Sequence, residues 1–146
     1  MGNFVQGELG KQIWQLFDEG TAVYQHGDKG KSIRILESIW DLLPDDKNKY
    51  DEGYLALHAI VDTAIEINDL ETLKKWKEKI FVAGEGYEDF GERDLMAGKI
   101  AFEIGEKKEA LYYLRQANEK SQGRCFGDGD KKYKQLLQDE SFNELD

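Results

Sequence analysis

Apolar residues recur at three- and four-residue intervals through most of the chain, the period of an amphipathic helix. Leu9, Ile13, Leu16, Phe17, Gly20 and Tyr24 step along one face and stop at His26-Gly27-Asp28. Gly27 suits the left-handed position after a helix, and Asp28 suits the cap of the next one. Ile33, Leu36, Ile39, Trp40 and Leu43 form the stripe of that second helix, and Pro44 stops it. A second pair opens with Asn48 as cap and Asp51 three residues on, and runs through Tyr54, Leu57, Val61, Ala64 and Ile65. Asn68-Asp69 takes its turn, with Asn68 and Glu71 reading as a capping box, and Leu70, Leu73, Trp76 and Ile80 continue to Gly84. In the third pair Ala97, Ile100, Ala101 and Ile104 precede Gly105, and Ala110, Leu111, Leu114 and Ala117 follow it. Tyr133, Leu136 and Leu137 give one short final helix, and ESFNELD reads as a frayed tail. No alternating run of β-branched residues is bounded by turn dipeptides, so no strand is expected. The pattern predicts a single all-α domain of seven helices: hairpins over about 8–44, 48–84 and 89–121, and a capping helix over about 128–139.

The hairpins share more than a period. Superposing Gly27 on Gly105 brings Gly20 onto Gly98, Ser32 onto Ala110, Leu36 onto Leu114 and Ile39 onto Ala117. With small residues near the middle of the first helix and in the second, this resembles the tetratricopeptide repeat, a helix–turn–helix unit of about 34 residues. The turns at 27, 68 and 105 are more widely spaced than that, and Lys77 and Leu73 depart from the repeat's preferences in the middle hairpin. The resemblance implies a right-handed superhelical stack of about three antiparallel hairpins plus the cap. It also implies a concave wall built by the first helix of each hairpin, where such arrays commonly hold their ligands. Carried over position by position, the wall would contain Trp14, Phe17, Thr21, Tyr24 and Gln25, then His58, Asp62 and Glu66, then Glu92, Lys99, Phe102 and Glu103. The same aromatics fit ordinary packing between helices equally well. A clamp for acidic C-termini would need several bases on this wall, and only Lys99 is present.

Composition narrows the partner. Thirty acids against twenty bases give a net charge of −10, which disfavours nucleic acid and anionic membranes and favours a basic protein. Such a charge also serves solubility alone. The single Cys125 cannot form an internal disulfide, MGNFVQGELG lacks the charged and apolar regions of a signal peptide, and no run approaches 18 apolar residues. The expectation is a soluble, cytoplasmic protein.

Chemistry is sparse. His26, His58 and Cys125 are isolated, so no metal or cofactor is expected, and His58 reads as half-buried. Arg124 beside Cys125 could lower its thiol pKa, but no base or oxyanion site accompanies it, and an inert loop cysteine is the simpler reading. Asp128-Gly129-Asp130 lacks the rest of a calcium loop and fits a helix start. The acids Glu85, Glu88, Asp89, Glu92 and Asp94 read as a solvated turn or, alternatively, a docking patch for a basic partner. These features predict a non-enzymatic, protein-binding chain. In size and charge it is similar to small bacterial immunity proteins, which neutralise toxins, often basic nucleases; a scaffold or adaptor in a regulatory complex is the alternative.

Overall fold

The computed structural model describes residues 3–83 and 90–138. Eight α-helical segments and no strand occur among them: α1 (Gly7–Gln25), α2 (Lys29–Leu42), α3 (Asp51–Glu66), α4 (Leu70–Lys77), α5 (Ile80–Ala83), α6 (Glu92–Glu103), α7 (Lys107–Ser121) and α8 (Lys131–Gln138). Short 3₁₀ turns at Lys47–Lys49 and Asp128–Asp130 precede α3 and α8. No described helix is long and apolar enough to cross a membrane. The chain divides into two compact units, Met1–Gly86 and Tyr87–Asp146.

The three helix–turn–helix links are built alike. Gly27, Asn68 and Gly105 all take left-handed backbone, with φ of 93°, 57° and 87°. In each, the next N–H donates to a carbonyl five residues back: Asp28 to Val23 at 2.9 Å, Asp69 to Ala64 at 2.8 Å and Glu106 to Ala101 at 2.9 Å. This is the Schellman closure, which satisfies carbonyls that a helix end otherwise leaves open. Asp28 and Asp69 then accept from the N–H of Lys31 and Thr72, capping α2 and α4. The middle cap is thus Asp69 with Thr72 rather than Asn68 with Glu71, because Asn68 is already committed to the left-handed position.

In the first unit α1 packs on α2, α2 on α3, and α3 on α4 and α5. Helix α3 buries Ala56, Leu57, Ile60, Val61 and Ala64 completely. Gly53 admits α2 closely, since a Cβ there would lie 3.0 Å from both Leu43 and Trp40. Trp40 meets Trp76 edge to face at 5.7 Å, and the Trp76 indole donates to Glu37 at 2.7 Å. The helix expected from Leu70 to Ile80 is broken: α4 ends at Lys77, where the repeat pattern wants an apolar residue, and α5 restarts at the buried Ile80. Trp76 takes the core position one residue earlier.

Asn48 does not cap α3. Helix α3 starts at Asp51, and the Asp51 N–H donates to the Asn3 carbonyl at 3.1 Å, so the N-terminal segment supplies the cap. Asn48 lies in the 3₁₀ turn, whose Lys47 ammonium donates to the carbonyls of Trp40 (2.9 Å) and Leu43 (2.8 Å) and so closes the C-terminus of α2.

In the second unit α6 packs on α7 and α7 on α8. Ala101, Ala110, Leu111, Leu114, Ala117, Tyr133 and Leu136 share one buried cluster. Gly98 lies against Leu114, whose side chain would be 2.8 Å from an added Cβ.

Candidate protein-binding face

Eight of the twelve predicted wall residues belong to the first unit. On α1, Trp14, Thr21, Tyr24 and Gln25 are exposed and Phe17 is half-buried, while Ile13 and Gly20 are buried. Trp14 stacks on Phe17 with ring centroids 4.9 Å apart, and Phe4 joins it at 6.0 Å. Phe4 and Trp14 remain 39% and 42% exposed, although an apolar ring in contact with others gains by being covered. Asp18, one helical turn beyond Trp14, is exposed.

The same unit places carboxylates of α3 beside the end of this stripe. Tyr24 Oη donates to Glu66 at 2.7 Å, Lys29 pairs with the same carboxylate, and the Lys29 ammonium lies 5.3 Å from the Tyr24 ring centre. The hydrogen bond to Glu66 pushes the Tyr24 phenol above its ordinary pKa, with smaller contributions from burial and from the charges of Glu66 and Asp62. Hydrogen bonds from Lys29 and then Tyr24 hold Glu66 below the usual carboxylate range. The Lys29 ammonium is raised in turn, by the same bond. Asp62 is exposed one turn earlier on α3. His58 is half-buried and packs edge to face on Tyr54 at 4.6 Å.

The other four wall residues lie in the second unit, and three of them are engaged by its terminal helix. Lys99 pairs with Asp130 at 2.6 Å and reaches over the Tyr133 ring. Phe102 meets Tyr133 edge to face at 5.3 Å, and Glu103 takes the Tyr133 hydroxyl at 3.2 Å together with Lys132. Glu92 stands apart at the first turn of α6, accepting from the Phe90 N–H at 3.2 Å. It borders a pocket of about 400 Å³ that also touches Phe90, Arg124 and Cys125. Burial raises the Cys125 thiol above its ordinary pKa, so the adjacent Arg124 does not lower it, and the thiol donates to the Ala117 carbonyl at 3.6 Å. The thiol is therefore held protonated rather than activated.

Of the acidic run, Glu85, Glu88 and Asp89 lie outside the described residues. Asp94 is not solvated: it is 4% exposed and accepts from the Lys120 ammonium at 2.7 Å, clipping the start of α6 to the end of α7. Among the described residues no group of three His, Cys, Asp or Glu side chains could hold a metal. Comparison with family models, curated proteins and solved structures finds no match.

Two contributors to the exposed aromatic face lay beyond the reach of helical periodicity. Phe4 precedes the first helix and belongs to no stripe. Glu52, fully buried, accepts from the Val5 N–H through both oxygens, at 2.9 and 3.2 Å.

Proposed function

We propose that the chain is a non-enzymatic protein-binding module whose partner is a basic protein, and that it acts as an immunity-type antagonist of a toxin. The observation that supports this most is the exposed ring cluster Phe4–Trp14–Phe17 with Asp18, Asp62 and Glu66 carried by the same unit. Clustered rings that stay partly uncovered are suited to anchor a partner, since aromatic anchors contribute most once desolvated. The charge selects the partner's sign. Residues 1–86 hold sixteen acids against ten bases, so a basic surface is drawn in and an acidic one repelled. In the same reading the three hairpins are diverged copies of one tetratricopeptide-like unit. The matching turns at Gly27, Asn68 and Gly105 support it.

The test begins with proteins retained by the immobilised chain at low salt and released at high salt. The toxin-antagonist role requires a retained protein that is basic, that arrests growth when expressed alone, and whose toxicity is relieved by co-expression of this chain. A basic partner that is harmless alone would reject that role and leave an adaptor. Retention of acidic proteins only would reject the binding mode itself.

A further inference from the structure

We propose that residues 3–6 form a strap that completes the partner-binding face, and that Glu52 is the positioning residue that holds it. This inference rests on the protein-binding reading of the Trp14 surface and names part of its architecture. The strap is fixed at alternate residues, Asn3 and Val5. The Asn3 N–H donates to Asp51 at 2.8 Å, the Asn3 carbonyl accepts from the Asp51 N–H, and the Asn3 amide reaches the Lys49 carbonyl. The Val5 N–H donates to both oxygens of Glu52. Gly10 makes room for it, since a Cβ there would fall 2.2 Å from the Val5 carbonyl oxygen.

Phe4 sits between these two anchored residues. Its backbone cannot shift while Asn3 and Val5 are held, so its ring is presented to Trp14 rather than released to solvent. A helix stripe alone would offer only Trp14 and Phe17. The strap adds a third ring from a different part of the chain and widens the apolar floor on which a cationic segment with apolar side chains can rest. Glu52 touches no partner in this arrangement; it acts through Val5 on Phe4. A buried carboxylate is costly unless it is hydrogen-bonded, and its bonds to a backbone amide are of the strong, charge-assisted kind.

The strap can be tested before any natural partner is in hand. In the full-length protein, hydrogen exchange followed by NMR should show the Val5 amide protected, and Glu52→Gln, which keeps one acceptor oxygen but loses its charge, should speed its exchange about tenfold, the difference between a charge-assisted and a neutral hydrogen bond. The turn amides of Asp28 and Asp69 should keep their rates, which separates release of the strap from general destabilisation. The face is then probed with a hexapeptide of alternating arginine and leucine, read as the shift of the Trp14 indole N–H. Phe4→Ala and Glu52→Gln should each weaken that titration at least threefold, and Glu52→Gln should add nothing in a Phe4→Ala background. A Val5 amide that is unprotected, or unchanged by Glu52→Gln, overturns the strap. A Trp14 titration unaffected by Phe4→Ala also overturns it, while leaving the face intact. A peptide that leaves Trp14 unshifted while Val5 is protected rejects the binding face instead, and with it the strap's role there.

Discussion

The hairpins α1–α2 and α6–α7 carry a glycine at the same register position, Gly20 and Gly98, each beside a leucine that also matches, Leu36 and Leu114. A Cβ on Gly20 would find Leu36 at 3.6 Å, ordinary contact. On Gly98 it would find the Leu114 side chain at 2.8 Å and the Leu114 backbone nitrogen at 3.2 Å. The difference lies in how each pair of helices is spaced. Ser32 donates to the Gly20 carbonyl at 2.8 Å, and a hydroxyl bridging the two helices needs room between them. Its counterpart Ala110 has no such group, and α7 comes down onto α6. One sequence signal, a glycine in mid-helix, thus covers a spare position in one hairpin and a required one in the other.

The sharpest way to break that contrast is Gly98→Leu, expected to destabilise by about 1–3 kcal/mol or more through overpacking, with Gly98→Ala smaller but of the same sign. Gly20→Ala should instead stabilise by about 0.5–1 kcal/mol, because a helical glycine with room for a methyl only loses by its flexibility. Urea titrations of the three variants check both signs; a Gly20→Ala loss equal to that of Gly98→Ala would erase the distinction. Ser32→Ala comes next. Removing the buried hydroxyl bond should cost about 1 kcal/mol, and a neutral result would show that the spacing is not its work.

The turns sharpen the comparison further. Asp28 and Glu106 share nearly the same backbone, φ −93° and ψ 72° against φ −90° and ψ 75°, yet only Asp28 caps its helix. Glu106→Asp should supply the missing bond to α7 and raise stability by about 0.5–1 kcal/mol in the same titration. An unchanged midpoint would mean that chain length is not what leaves Glu106 uncapping.

The smallest effect is electrostatic and local to the first unit. Tyr24 and Lys29 are raised and Glu66 is lowered by one shared set of bonds. The Glu66 contribution is present above the ordinary carboxylate pKa and fades as pH falls through its depressed value. Those of Tyr24 and Lys29 are present below their ordinary values and fade as pH rises through the raised ones. Glu66→Gln should therefore lower the Tyr24 midpoint, followed by phenolate absorbance; an unmoved midpoint would mean that Glu66 does not hold the phenol.

Much of the fold was legible in the sequence because short-range rules dominate it. Left-handed turns at Gly27 and Gly105, and the stripes Ile33–Leu36–Ile39 and Ala110–Leu114–Ala117, need only local geometry and a helical period. The break at Lys77 was visible as a departure from the repeat but not as a helix end. Long-range polar contacts were not legible: Glu52 and Asp94 look like first-turn acids, and only tertiary packing turns one onto Val5 and the other onto Lys120. Of the wall inferred from the repeat, Trp14 and Phe17 stack together and Tyr24 meets Glu66, while Lys99, Phe102 and Glu103 contact α8 in the second unit.

The central claim, that the Trp14 face captures a basic partner, is tested most directly by surface plasmon resonance against that partner at two ionic strengths, with folding of each variant checked by circular dichroism. Trp14→Ala should raise the dissociation rate about tenfold or more with its salt dependence unchanged. Charge reversal at Asp62 and Glu66 should slow association and flatten the response to salt, since screening acts over about 8 Å at physiological ionic strength. Wild-type kinetics in both variants would contradict the claim and move the binding surface off the Trp14 face.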